Sequence, residues 1–451
     1  MPTLDGLTQS NQHNISTTFR TTTAPTTFLL TTINPTILSF FLLGLLNNTP
    51  YVIMLASANS ISASAVGYVY LAAIAPAALV KLSSPFWFHH VSYSIRIKLC
   101  AFFMAIAFTI VGLCTSSRAW QLLGVAAASL QSGLGEASCL AMTVLYGGRP
   151  AITAWSSGTG LAGIAGYAWV FILHYKLGLS FTMTLLLAQI HVILWLATYF
   201  KYLLKRDAKK ESSGVVVGNS NEHAVAVVED NIENNDNNDD DDQETTGLLP
   251  LSQKQQIKQS SSLSSSISTL TVPERVRLGV SLWPFMVPLF VVYFAEYCMQ
   301  SGTWAVIGFP LHDKHARHQF YVLANWCYQA GVFFSRSAGM LWSASLTAIW
   351  IMPAAQLGFL LFFILNTVTK FWWNWGLLLP CFVTGLLGGS VYVQGFSAIE
   401  RDVLVPSHRE FALAAASVAD SFGVALADVV GVLIQGCLFR WNGLEGADFT
   451  C

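Results

Sequence analysis

Phe290-Val-Val-Tyr-Phe-Ala-Glu296-Tyr-Cys298 is the stretch from which the rest of the chain is read. It lies in an apolar run from 281 to 303, and about 20 such residues in a helix cross a bilayer. The run carries one charge, Glu296. A carboxylate at membrane depth costs about 2.5–3.5 kcal/mol on insertion scales, which points to a proton, a cation or a cationic solute as its reason. Glu136, Asp420 and Asp428 share this setting, whereas the other acids crowd between Glu229 and Glu244 or lie in tails and connections.

Composition agrees. Of 451 residues, 53% are hydrophobic and only 10% charged, and the mean hydropathy is +0.53. A soluble domain carries roughly 25% charged residues, so the chain reads as an all-α polytopic membrane protein. A net charge of −1 argues against a nucleic-acid partner. The eight cysteines form no C-x-x-C pair and read as small buried residues, not a disulfide framework or zinc site. No cofactor or metal motif, nucleophile–base pair or phosphate-cradling loop occurs, so an enzyme is not expected.

Eleven spans follow from hydrophobic length: 37–57, 65–82, 99–116, 119–146, 151–174, 179–203, 281–303, 321–338, 345–368, 374–397 and 411–438. The second ends on Lys81 and the eighth contains Arg336. Residues 1–36 form a Thr- and Asn-rich tail without the pattern of a cleavable signal, leaving the first span as its own insertion signal. Residues 37–203 form a six-helix bundle and 281–438 a five-helix bundle. The intervening 204–280 is an acidic, Ser-rich linker too polar to fold, and 439–451 is a short tail. Placing the N-terminus in the cytosol puts 17 of the 23 Lys and Arg on that side, which favours a cytosolic N-terminus and linker.

Within this frame the polar residues at depth are the candidate site. Glu136 closes Gln131-Ser-Gly-Leu-Gly-Glu136, and Tyr293 lies one turn before Glu296. Both acids read as proton or cation sites, with Asp420 as a third candidate and Asp428 as an assembly residue. Arg336 reads as the counter-charge of one of these acids, a phosphate ligand or an interfacial anchor. Asn47 and Asn48 before Pro50 suggest a bent, cavity-lining helix. Ser156, Ser157 and Thr159 place hydroxyls near a helix end, where anions can bind. Gly158-Thr-Gly160-Leu-Ala-Gly163 matches a dinucleotide fingerprint only in letters, and in a membrane helix it reads as close packing.

Three motifs lie outside the spans. Glu244-Thr-Thr-Gly-Leu248-Leu249 is an acidic dileucine pattern suited to sorting adaptors on an exposed linker. His312, His315 and His318 form a loop cluster that reads as solvated or as sensitive to acid pH, not as a metal site. The sequons at Asn14 and Asn47 are expected to stay bare, one on the cytosolic side and one at membrane depth.

Several ordered segments together resemble the battenin family, the Batten-disease protein and its fungal vacuolar homologues. They are Phe40-Phe-Leu-Leu-Gly-Leu-Leu-Asn-Asn48 with Tyr51-Val-Ile-Met-Leu55, Ser132-Gly-Leu-Gly-Glu136, and Trp155-Ser-Ser-Gly-Thr-Gly160. Val291-Val-Tyr-Phe-Ala-Glu-Tyr297, Tyr328-Gln-Ala-Gly-Val-Phe333 with Ser335-Arg-Ser337, Gly388-Gly with Tyr392-Val, and His408-Arg-Glu-Phe-Ala412 continue the set. The resemblance implies a divergent major-facilitator-like two-bundle fold in the vacuole or lysosome membrane. It implies a secondary transporter involved in vacuolar transport and pH homeostasis, with a basic amino acid (arginine) as the expected solute and protons as possible partners. A glycerophosphodiester is the alternative solute, and a non-transporting scaffold for trafficking or pump assembly the alternative role. Some relatives end in a prenylation-type box. Cys451 is the last residue here, so that lipidation is not expected.

Overall fold

The structure, a computed structural model, describes residues 34–57, 66–204 and 271–444. The dileucine motif Glu244, Leu248 and Leu249 and the Asn14 sequon lie outside the described residues. Those residues are helical almost throughout. The N-terminal half contains α1 (Pro35–Ala56), α2 (Val66–Trp87), α3 (Tyr93–Leu113), α4 (Arg118–Met142), α5 (Arg149–Val170) and α6 (Phe181–Leu204). The C-terminal half contains α7 (Val272–Ser281), α8 (Trp283–Cys298), α9 (Lys314–Ser337), α10 (Leu346–Thr369), α11 (Leu378–Asp402), α12 (Pro406–Ala416) and α13 (Val418–Trp441).

Local chemistry starts these helices where they start. Asn34 accepts from the amide of Thr36, and Pro35 fits the first turn of α1, where no amide donor is needed. Thr271 and Glu274 form a capping box that opens α7. Helix α7 lies almost wholly within the stretch 204–280 that was expected to be a linker too polar to fold. It meets α8 at a bend of 60°. Helix α9 begins at Lys314, so His315 and His318 occupy its first turns instead of a loop, with Asp313 accepting from the His315 amide. The expected last span is two helices, α12 and α13, separated at Ser417.

Each of the eleven expected spans corresponds to helical structure. Among the described residues, seven helical segments cross-qualify by length and apolarity, and the bent α7–α8 pair makes eight. The remaining three are α2, α4 and α9, which carry Lys81, Glu136 and Arg336. Within α2, the stretch Ala72–Ser84 is apolar but short.

Within the halves, α1 packs on α5, α4 on α2 and α3, α9 on α11, and α8 on α13. Between the halves, α5 meets α9 and α11, α2 meets α13, and α4 meets α12. The glycine stripe does what small residues do in membranes. A Cβ at Gly44 would strike the Trp155 carbonyl and one at Gly158 the Phe41 carbonyl, so α1 and α5 touch backbone to backbone. Six cysteines are free, but Cys437 is disulfide-bonded, which the expectation of buried unpaired cysteines did not include.

Candidate functional site

The interior of both halves opens on one cavity of about 120 Å³. At roughly 30 Å³ of liquid per water it holds about four waters, below the ~300–1,000 Å³ of a ligand pocket. Asn48, Glu136, Thr159, Tyr293, Arg336 and Asp420, all expected at the site, line it. So do Lys81 and the tyrosines 51, 297, 328 and 392. Two cationic and two acidic side chains make the lining formally neutral when all are charged.

Lys81 is the residue that sequence reading misplaced. It was expected at the membrane edge of the second span. Instead α2 continues to Trp87, and Lys81 is only 2% exposed. Its ammonium lies 2.6 Å from Glu136 Oε2 and 3.0 Å from Asp420 Oδ1, and it donates to Ser421 Oγ at 2.9 Å. An ammonium has three protons to give, and these partners account for them. Two buried acids demanded a buried cation, and Lys81 was the signal, visible as a single lysine in an otherwise apolar span.

Tyr392 on α11 donates to Glu136 Oε1 at 2.6 Å, and its hydroxyl accepts from Trp155 Nε1 at 3.3 Å. Among the described residues Arg336 forms no direct ion pair with an acid. One terminal nitrogen donates to Thr159 Oγ1 at 2.6 Å, the other to Tyr293 Oη at 2.7 Å. Its guanidinium sits 4.1 Å from the centre of the Tyr392 ring, in cation–π range. Three of the strong polar contacts of this cavity therefore join the halves: Lys81 to Asp420, Glu136 to Tyr392, and Thr159 to Arg336.

Glu296 lies outside the lining, behind Tyr328. It is 1% exposed, accepts from Tyr328 Oη at 2.8 Å through Oε1, and has no partner at Oε2. Gly388 leaves room for it, since a Cβ there would collide with the carboxylate. Glu296 and Glu136 thus do not face one another across an open site. Asp428 is half-buried away from the cavity.

Asn47 and Asn48 divide their work because neighbouring helical residues point about 100° apart. Asn48 lines the cavity. Asn47 donates to the Ser132 carbonyl at 3.1 Å and accepts from Gln131 Nε2 at 2.9 Å, fastening α1 to α4. Ser156, Ser157 and Thr159 are not at a helix end. Gly147 and Gly148, both with positive φ, end the preceding turn, and α5 starts at Arg149. Ser156 Oγ is buried and unpartnered, and Ser157 pairs with Ser337 Oγ at 2.7 Å. Glu410, assigned from sequence to a connection, is buried on α12 and accepts from Tyr93 Oη. Among the described residues no cluster of His, Cys, Asp and Glu could hold a metal ion.

A sequence model of the CLN3 protein family matches residues 38–441. The chain is 32% identical over 413 residues to Protein BTN1 of Yarrowia lipolytica, covering 90% of this chain and 95% of that one. It is 31% identical over 438 residues to battenin of Canis lupus familiaris, covering 89% and 91%. In three dimensions it is similar to the major-facilitator proton:xylose symporter XylE, with a TM-score of 0.55 at 12% identity, over 91% of this chain and 95% of that one. The human organic anion transporter MFSD10 gives a TM-score of 0.50 at 13% identity, over 91% and 96%. At such identities the likeness is one of fold, and the fold is major-facilitator-like.

Proposed function

The chain belongs to the CLN3 protein family, and from that premise we propose that it is a secondary transporter of the vacuole or lysosome membrane that carries a basic amino acid and contributes to vacuole pH homeostasis. That it is a multi-pass, transporter-like membrane protein follows from family and fold. The observation that carries the finer reading is the seat of the Lys81 ammonium between Glu136 and Asp420. Two carboxylates, one from each half, already bind a primary ammonium there. The guanidinium or ammonium of a basic amino acid has the chemistry to take over that seat, and the Arg336 guanidinium suits the carboxylate of the same solute.

In this proposal the cavity is a closed state. Rocking of the two halves about a midplane site moves a solute across the membrane, and each cross-half contact must break for one side to open. A solute cation that displaces Lys81 keeps both carboxylates paired, and the displaced Lys81 ammonium must then give up its proton or find another acceptor. Glu296, with no cation beside it, is the carboxylate assigned to proton exchange.

Arg336 favours a second reading. It faces the cavity without a carboxylate, and its Nε–H is buried without a partner. A phosphodiester monoanion fits such a fork, which supports a glycerophosphodiester as solute.

Uptake into proteoliposomes separates these readings. Saturable uptake of radiolabelled arginine, stimulated by an imposed pH gradient and lost in the Glu136→Gln, Glu296→Gln double variant, is expected. Equal flux in wild type and double variant sinks the carboxylate mechanism. Glycerophosphodiester flux without arginine flux transfers the function to the second reading. Deletion of residues 211–270 is expected to leave flux intact in proteoliposomes, whereas a scaffold role has no flux to preserve.

A further inference from the structure

A second cavity, of about 260 Å³, is enclosed by the start of α5, the turn after α9 and the adjoining ends of α11 and α12. It shares no lining residue with the central cavity. Its wall carries three guanidinium groups, Arg149, Arg401 and Arg409, against the single carboxylate of Glu400.

The polar groups of this wall are unevenly satisfied. Arg409 is committed, donating to Glu400 Oε1 at 3.1 Å and to the Val403 carbonyl at 2.9 Å. Arg149 reaches across the halves to the carbonyls of Gly339, at 3.0 Å, and Trp342. Its Nε–H, however, is buried and has no partner. Ser397 is 5% exposed, lines the cavity, and its hydroxyl is likewise unpartnered. Arg401 is half exposed and paired only with Asp402, at 2.7 Å. Buried polar groups are nearly always hydrogen-bonded, and two open ones on the wall of a cationic cavity call for an acceptor that fills it. A tetrahedral anion presents several oxygens, enough for a guanidinium N–H, a hydroxyl and a second guanidinium at once.

The rim identifies the source of that anion. Leu341, Trp342, Leu404 and Val405, beside the opening, are all exposed. Apolar side chains with a tryptophan at helix ends belong to the membrane–water boundary. A basic pocket between transmembrane helices at that depth suits an anionic lipid headgroup.

We propose that this cavity binds a phosphate-bearing anion through Arg149, Arg401 and Ser397, supplied by the headgroup of an anionic phospholipid whose acyl chains lie against Leu341, Trp342 and Leu404. Arg149 comes from the N-terminal half and the other ligands from the C-terminal half, so an occupied site ties the halves together at this end. The site does not depend on which solute the central cavity carries.

Thermal unfolding of the full-length protein in detergent tests it, titrated separately with a short-chain phosphatidylinositol phosphate, inorganic phosphate and short-chain phosphatidylcholine. The phosphoinositide is expected to raise the midpoint saturably, and phosphatidylcholine to leave it unchanged. Ser397→Ala, whose hydroxyl has no partner, and Arg401→Gln, which loses only the half-exposed pair with Asp402, are expected to weaken the response about tenfold each, the scale of one charge-assisted hydrogen bond. An equal, mutation-sensitive response to inorganic phosphate keeps the anion site and overturns the lipid source. No response to either phosphate compound, or variants with wild-type unliganded midpoints that respond as wild type does, overturns the proposal.

Discussion

Glu136 and Glu296 are both buried on long helices, one in each half, yet they are held in opposite ways. Glu136 has a lysine at 2.6 Å, a tyrosine hydroxyl at 2.6 Å and a place on the cavity wall. Both of its partners come from other helices, and Tyr392 comes from the other half. Glu296 has one hydroxyl donor, no cation and no place on that wall. Both of its neighbours, Tyr328 and Gly388, belong to its own half. The contrast separates two uses of an acid at membrane depth. A paired acid that bridges the halves couples charge to conformation. In the function proposed above, an acid held within one half exchanges a proton without unlocking the rest.

The strongest way to break this comparison is to remove Lys81. Lys81→Ala leaves Glu136 and Asp420 buried together without their cation, and removing one partner of a buried pair costs about 3–5 kcal/mol. A large drop in the unfolding midpoint is expected, largely recovered when Glu136→Gln and Asp420→Asn are added. A midpoint unchanged from wild type means the triad does not hold the halves.

Arg336→Lys comes next. Lysine keeps the charge but cannot bridge Thr159 and Tyr293 with two separate nitrogens while lying over Tyr392. A loss of about 1.5–3 kcal/mol, the worth of a hydrogen bond to a charged group, is expected by chemical unfolding. A neutral result makes Arg336 a free ligand of the solute instead of a bridge between α5, α8 and α9. Tyr392→Phe removes one hydrogen bond from Glu136 but leaves Lys81 in place, so about 1 kcal/mol is expected. A double-mutant cycle with Glu136→Gln isolates that coupling and disproves it if the two effects simply add.

The smallest stability effect is expected for Glu296→Gln. Glutamine still accepts from Tyr328 and no ion pair is lost, but its amide N–H groups are buried without a known acceptor, so the midpoint should move by no more than about 1 kcal/mol. The pH dependence of uptake should nevertheless flatten in the same variant. A stability loss like that of Lys81→Ala erases the distinction between the two acids.

Much of this architecture is legible in the sequence. Each of the eleven apolar runs is helical, and seven or eight of them are long and apolar enough to span, because length and hydropathy are local properties and the bilayer acts on each helix alone. That Glu136, Arg336, Asp420, Tyr293, Thr159 and Asn48 face the interior was legible for the same reason, since a polar side chain at depth needs an interior. Lys81 was not, because a lysine near the end of an apolar run is indistinguishable from one that snorkels to the interface. Glu410 escaped notice for a related reason, lying on a short helix whose membrane depth its own composition does not reveal. Helix α7 was hidden in a polar tract, although its capping box, Thr271 with Glu274, stood in plain view.

What the sequence determined alone is the class of the molecule: apolar helices in a membrane and a handful of polar groups that must face inward. What tertiary structure decided is who meets whom. Lys81 and Asp420 are 339 residues apart and Glu136 and Tyr392 are 256 apart, and only the docking of the two halves joins them. The physical reason is that a helix registers its own hydropathy along its axis, whereas an ion pair is satisfied by any partner that packing brings within 3 to 4 Å or so. Packing of one half against the other is settled by small residues and shape, not by any one segment read alone.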